Sequence, residues 1–153
     1  MLRTEMRNPK TTHIDQMNAL EIVQVMSEEN QNAVLAVEAE KEQIAKAIDA
    51  ITLAFQNGGR LLYMGAGTSG RLGVLDAAEC PPTFGVPHDM VVGIISGGYG
   101  TLVKAGERAE DRGEDGVRDL KEHQLEARDV VVGISAAGGA AYVTEALAYA
   151  KSL

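Results

Sequence analysis

The sequence predicts an α/β fold: a parallel sheet of about three strands flanked by helices, preceded by a helical N-terminal arm. Three observations carry this. Residues 61–65, 90–96 and 129–135 are short, nearly continuous apolar runs, the pattern of strands covered on both faces. Helix-spaced segments alternate with them, which implies parallel strands joined by right-handed crossovers. Each strand also runs into a glycine-rich turn, at 65–70, 96–100 and 135–140. Sheets of this kind bind ligands on that side, beyond the carboxyl ends of their strands.

The elements follow in order. Residues 1–13 are polar, with Asn8-Pro9 as a break, and read as an arm. Ile14, Met17, Leu20 and Val23 fall at helical spacing and predict a helix over 14–28. Val34, Val37, Ile44, Ile48, Ile51 and Phe55 give the stripe of a longer helix over 30–56, stopped by Asn57-Gly58-Gly59. The arm and helices thus occupy 1–56 and one compact unit occupies 57–153. Within that unit, helices are expected at 70–78, at 100–122 with a break near Gly113, and at 141–151. Three strands are few, since sheets commonly have about five. An edge of the sheet, at the third strand, is therefore expected to stay open, and together with the apolar helices over 14–56 it predicts self-association.

Composition narrows the function. The 153 residues suffice for one domain with a core, and 45% hydrophobic with 24% charged residues is ordinary for a globular protein. A formal charge of −8 argues against general nucleic-acid binding, which needs basic surface. No apolar leader or membrane-length stretch is visible, and the lone Cys80 fits a reducing compartment, so a cytoplasmic protein is expected. Cys80 itself, without a basic neighbour in sequence, reads as a buried, inert thiol. His13, His88 and His123 lack metal-ligand spacing and read as surface residues, so no metal is expected.

The first turn is the most informative stretch. Gly65, Gly67 and Gly70 match G-x-G-x-x-G between a strand and a helix. A dinucleotide site would need a carboxylate at the end of the second strand. That strand ends Ile94-Ile95-Ser96-Gly97-Gly98, and Asp89 lies at its other end. A tight turn built for packing alone would also use glycines. Thr68 and Ser69, however, add hydroxyls suited to gripping a phosphate directly. Gly67, Thr68, Ser69 and Gly70, at a helix N-terminus, are therefore read as an anion site with Arg71 close by.

The run from Gly65 through Thr68-Ser69-Gly70-Arg71-Leu72-Gly73 to Asp76-Ala77-Ala78-Glu79-Cys80-Pro81-Pro82-Thr83-Phe84-Gly85 resembles the N-acetylmuramic acid 6-phosphate etherases, of the sugar isomerase (SIS) superfamily. Thr4-Glu5, Arg7-Asn8-Pro9, Ile14-Asp15, Leu20-Glu21, Gly97-Gly98, Glu107, Ala109-Glu110-Asp111 and the strand from Asp129 to Ile134 extend the resemblance over nearly the whole chain. It implies a partial SIS-type, flavodoxin-like sandwich and a homodimer. It implies cleavage of the D-lactyl ether of N-acetylmuramic acid 6-phosphate by elimination and hydration, without cofactor, in cell-wall sugar recycling. By motif position Glu79 would be the general acid and Glu110 the general base. Two carboxylates can divide such roles when their environments differ. Glu79, ahead of two prolines, is expected at the rim of a rigid turn. Glu110 without the resemblance reads as part of a solvated charged helix.

The chain departs from that family at its third turn, Ser135-Ala136-Ala137-Gly138-Gly139-Ala140-Ala141-Tyr142. The family pattern Ala-Ser-Gly-Arg-Thr-Pro-Tyr, aligned on Tyr142, places Ala137, Gly139 and Ala140 where a serine, an arginine and a threonine are expected. Ser135 would compensate only if the loop shifts. Family members are also much longer, so the chain reads as truncated on its C-terminal side. A non-catalytic phosphosugar-binding or regulatory module and a sugar-phosphate isomerase are the competing readings.

Overall fold

The computed structural model describes residues 6–104, 106 and 109–153. Thr4, Glu5 and Glu107, which contribute to the family resemblance, lie outside the described residues. The chain divides into two compact units, Met1–Asp49 and Ala50–Leu153.

In the first unit the arm is not irregular throughout. Among the described residues it carries a 3-10 turn at Pro9–Thr11, and a second 3-10 turn, Ile14–Gln16, stands where the first helix was expected to begin. Lys10 reaches Glu29 at 3.1 Å, an exposed ion pair. Helix α1 spans Ala19–Ala39, and α2 spans Lys41–Gln56. The expected break near residue 29 is absent, and the two helices part at Glu40 instead. The start of α1 is set by a capping box: Asn18 accepts from the Glu21 amide while Glu21 accepts from the Asn18 amide. The Glu28-Glu29-Asn30 segment contains neither Gly nor Pro, so nothing interrupts the helix there. The apolar side chains of α1 are largely exposed, Leu20, Val34 and Val37 among them.

The second unit is the expected α/β layer structure. Strands β1 (Leu61–Gly65), β2 (Val91–Ile95) and β3 (Val130–Ile134) form one parallel sheet in the order β2-β1-β3. Leu61 is level with Val91 and Val130, and Gly65 with Ile95 and Ile134. The three strands thus end together. Helices α3 (Gly67–Phe84), α4 (Gly100–Val103), α5 (Gly113–Glu122) and α6 (Ala141–Lys151) complete it.

Side-chain alternation divides the core between the two faces. Leu62, Met64 and Ile94 pack with Leu120, Tyr142, Val143 and Ala146 under α5 and α6. Leu61 and Val91 pack with Ala77 of α3 on the other face, flanked by Cys80, Ile51 and Phe55. The sheet's centre is β1, which has a neighbour on both sides. Both β2 and β3 keep one side unpaired among the described residues, and every residue of β3 is only half-buried.

Two helices differ from expectation. The segment 100–122 is not one broken helix: α4 is a single turn, a 3-10 turn follows at Ala109–Asp111, and α5 starts at Gly113. Helix α3 runs beyond residue 78 and carries Pro81 and Pro82 in its last turns. The prolines forgo two amide donors there, but they do not end the helix. It ends at Gly85, which takes a left-handed conformation and donates to the Pro81 carbonyl at 2.9 Å. Glu79 therefore sits on a helix, not on a turn.

Candidate functional site

The strand order fixes where a ligand can enter. The chain leaves β1 toward α3 on one face and leaves β3 toward α6 on the other. The turns after β1 and β3 diverge at the carboxyl ends of two adjacent strands, the position of the ligand crevice in doubly wound sheets.

One wall of the crevice is the start of α3. Gly70 donates to the Ala66 carbonyl at 3.3 Å, which closes the first helical turn. The preceding amides, up to that of Ser69, have no place in the helix's own ladder. Ala66 precedes the helix in extended conformation and its side chain caps nothing. Those amides and the hydroxyls of exposed Thr68 and half-buried Ser69 can address an anion together. Gly70 permits this close turn: a Cβ there would lie 2.5 Å from the Gly65 carbonyl oxygen and 2.7 Å from Ile95.

The other wall is the turn 135–140. Ser135 Oγ accepts from the Gly138 amide at 3.1 Å, so this hydroxyl closes its own turn. Ala136, Ala137, Gly138 and Gly139 are exposed and bring no polar side chain. Tyr142, just beyond, is fully buried and donates its hydroxyl to Asp119 at 2.7 Å. Burial, and then the neighbouring Asp119, hold its phenol far above the ordinary range. Tyr142 is therefore an anchor of α6 on α5.

The remaining predicted residues fall in different places. Arg71 does not lie free beside the phosphate turn. Its Nε donates to the Leu102 carbonyl at 2.9 Å and its Nη2 to the Thr101 carbonyl at 2.6 Å. Glu110 is exposed on the 3-10 turn, which packs against α6. Gly113 and Gly116 of α5 lie against Glu145 and Tyr142. Glu110 therefore belongs to the end of the sheet where α6 begins, next to the turn 135–140.

Glu79 belongs to the opposite end. It is exposed near the close of α3, and its neighbours Ala77 and Cys80 pack against Leu61, Val91 and Val130, the first residues of the three strands. Ten residues of helix separate it from Ser69, about 15 Å along the axis. Between them Leu72 and Leu75 project into solvent, 55% and 59% exposed. Within one chain the structure brings Thr68, Ser69, Gly70, Ser135 and Glu110 to the carboxyl end and leaves Glu79 apart.

Several residues around the crevice escaped sequence reasoning. Thr101 places its Oγ within 2.9 Å of the Ser96 carbonyl and 2.8 Å of the Gly98 carbonyl, shaping the turn after β2. A cavity of about 480 Å³ opens along the outer edge of β2 and includes Gly97, Tyr99, Arg112 and Arg118. Its charges are largely paired with each other, as Arg118 with Asp115 at 2.5 Å. His123, expected at the surface, is half-buried, with Nδ1 2.8 Å from the Asp119 carbonyl. Cys80 is half-buried, and burial raises its thiol pKa, followed by Asp76. Among the described residues no group of three or more His, Cys, Asp or Glu is placed to hold a metal, and no helix is long and apolar enough to cross a membrane.

Residues 43–151 match the family model described as the glucokinase regulatory protein N-terminal SIS domain. The chain is 57% identical over 152 residues to an N-acetylmuramic acid 6-phosphate etherase 2 of Vibrio parahaemolyticus, covering 99% of this chain and 51% of the relative. It is 57% identical over 150 residues to an N-acetylmuramic acid 6-phosphate etherase of Actinobacillus pleuropneumoniae, covering 98% and 49%. An Aliivibrio fischeri etherase of the same name is 53% identical over 152 residues, covering 99% and 51%. The chain thus spans about half the length of the curated relatives it matches.

Proposed function

Because this chain belongs to the SIS-domain family represented by the N-terminal SIS domain of glucokinase regulatory protein, we propose that its crevice binds a phosphorylated amino sugar, N-acetylmuramic acid 6-phosphate, and that the chain cleaves the D-lactyl ether of that sugar. The observation that carries the reading is the start of α3, where amides outside the helix ladder lie with Thr68 and Ser69 just beyond the carboxyl end of β1, beside β3. The similarity to etherases over nearly the whole chain supports the choice of substrate.

The chemistry follows from the sugar. In the ring-opened form the C2 proton is adjacent to the aldehyde and is acidified by it. Glu110 removes that proton. The electron pair forms the C2–C3 double bond as the C3–O bond breaks, and Glu79 gives a proton to the departing lactyl oxygen. Water then adds at C3 and a proton returns to C2. The products are N-acetylglucosamine 6-phosphate and D-lactate. The phosphate, held by residues 67–70, fixes the distance from C6 to the reacting carbons. The place of this reaction is the recycling of cell-wall amino sugars in the cytoplasm, which the single cysteine favours.

Self-association belongs to this reading. Thr68, Leu72, Leu75 and Glu79 follow one another at helical spacing on the exposed side of α3. Two such helices packed antiparallel about a two-fold axis near residue 74 bury the leucines of both. The same packing brings Glu79 of one copy beside Thr68 and Ser69 of the other, so the site is completed by the homodimer.

A second reading is favoured by one observation. The turn 135–140 offers an alanine-glycine surface, and Ser135 is occupied within it. Losing charge-assisted contacts worth about 1.5–3 kcal/mol each weakens the grip on the substrate. The chain would then be a phosphosugar-binding module without turnover. Assay of D-lactate released from N-acetylmuramic acid 6-phosphate by the unaltered chain and by Glu79→Gln and Glu110→Gln separates the two. Release that both substitutions abolish supports the etherase; saturable binding with no lactate supports the module.

A further inference from the structure

We infer that Arg71 is a positioning residue: it sets the turn after β2 against the phosphate-binding start of α3, and it does so without touching the phosphate. The functional part of this inference rests on the phosphosugar site proposed above. Arg71 follows Gly70 directly, so its backbone belongs to the second turn of α3. Its guanidinium points away from the helix axis to a different element. Nε and Nη2, one edge of the fork, are spent on the carbonyls of Leu102 and Thr101. Those carbonyls lie at the close of the single-turn helix α4, where a helix leaves its last carbonyls outside its own ladder. A cationic donor is the natural cap there, and a planar fork can serve two carbonyls at once.

The clamp reaches farther through Thr101. The backbone amide of Thr101 donates to Gly98 at 3.0 Å, and its hydroxyl lies against the carbonyls of Ser96 and Gly98. Gly97 and Gly98 have φ of +81° and +75°, and a Cβ on Gly97 would lie 2.7 Å from the Thr101 methyl. The turn therefore has one shape, dictated by glycine and locked by Thr101, and Arg71 holds Thr101 in place. Gly97 and Gly98 stand at the carboxyl end of β2, beside the end of β1. They are placed to meet the sugar portion of a ligand whose phosphate lies at residues 67–70.

Amide NMR of the full chain tests this with two probes, inorganic phosphate and N-acetylglucosamine 6-phosphate. In ligand-free Arg71→Met the amide signals of Gly97–Leu102 are expected to move while those of Thr68–Gly70 stay nearly in place. Inorganic phosphate should bind the variant within about twofold of the parent, because its contacts are unchanged. The sugar phosphate should bind about tenfold more weakly, the equivalent of one lost charge-assisted contact. Arg71→Lys should recover part of that loss, since one donor again reaches a carbonyl. Two results overturn the inference: an equal loss for both probes, or ligand-free spectra of Arg71→Met unchanged at Gly97–Leu102. If neither probe binds the parent chain, the phosphosugar site is wrong, while the ligand-free spectra still decide whether Arg71 shapes the turn.

Discussion

Ser69 and Glu79 share one uninterrupted helix and stand at opposite ends of the sheet, about 15 Å apart along the axis. A sugar phosphate anchored at Ser69 cannot have its lactyl oxygen protonated by Glu79 of the same chain. If both act, they act from two copies. Mixing Ser69→Ala with Glu79→Gln, each inactive alone, is therefore expected to restore about a quarter of the parent activity, because half of randomly mixed dimers carry one intact site of two. D-lactate release from the mixture checks this, and a mixture as inactive as its components contradicts it.

Gly70 is fixed by space. Its substitution by alanine places a methyl group 2.5 Å from the Gly65 carbonyl and 2.7 Å from Ile95, and neither neighbour is a free chain end. Gly70→Ala is expected to lose about 2 kcal/mol of stability, within the range for overpacked interiors. Urea unfolding reads the loss. A change below 0.5 kcal/mol, a threshold on the order of an ordinary surface substitution, contradicts the tight packing of α3 on β1.

Asp129 and Arg60 tie the amino ends of β1 and β3 to the end of α5. The Asp129 side chain is 1% exposed and meets Arg60 Nη2 at 2.7 Å, while Arg60 also donates to the carbonyls of His123 and Gln124. Burial opposes ionisation of Asp129, but the bonds from Arg60 and from the amides of Glu126 and Arg60 outweigh it and hold the carboxyl below its ordinary value. A depressed carboxyl contributes stability above the unfolded value, about 3.9, that is lost as pH falls through the folded value. Stability of the parent should therefore decline from about pH 4 downward in part through this group. Asp129→Ala should cost about 3 kcal/mol at pH 7, and should flatten the decline below pH 4. Equal acid sensitivity in the two proteins would show that the pair does not contribute.

The sequence revealed the strands, the layers and α6 because apolar runs and helix-period stripes are local signals. It misplaced the ends of α1 and α3 for physical reasons. The capping box Asn18–Glu21 outweighs the apolar spacing that begins at Ile14, and no breaker stands near residue 29. At the end of α3, Pro81 and Pro82 read as a stop. Proline in a last turn costs only the amides it lacks, and Gly85 supplies the true end. The Thr68-Ser69-Gly70 turn was legible because its chemistry is contiguous in sequence. The Arg71 clamp on Thr101 and Leu102, the Tyr142–Asp119 bond and the distance of Glu79 from Ser69 were not legible. They depend on which elements the sheet order brings together.

On the proposed reading a sugar phosphate sits with its phosphate on the first turn of α3. Titration of the isotope-labelled chain with N-acetylmuramic acid 6-phosphate, followed by amide NMR, tests it most directly. Saturable shifts are expected at Gly67, Thr68, Ser69 and Gly70, with smaller shifts at 135–140, all suppressed in a Thr68→Val, Ser69→Ala double variant. Shifts centred instead on Arg112 and Arg118 beside the outer edge of β2, or no saturable shift at all, would contradict it.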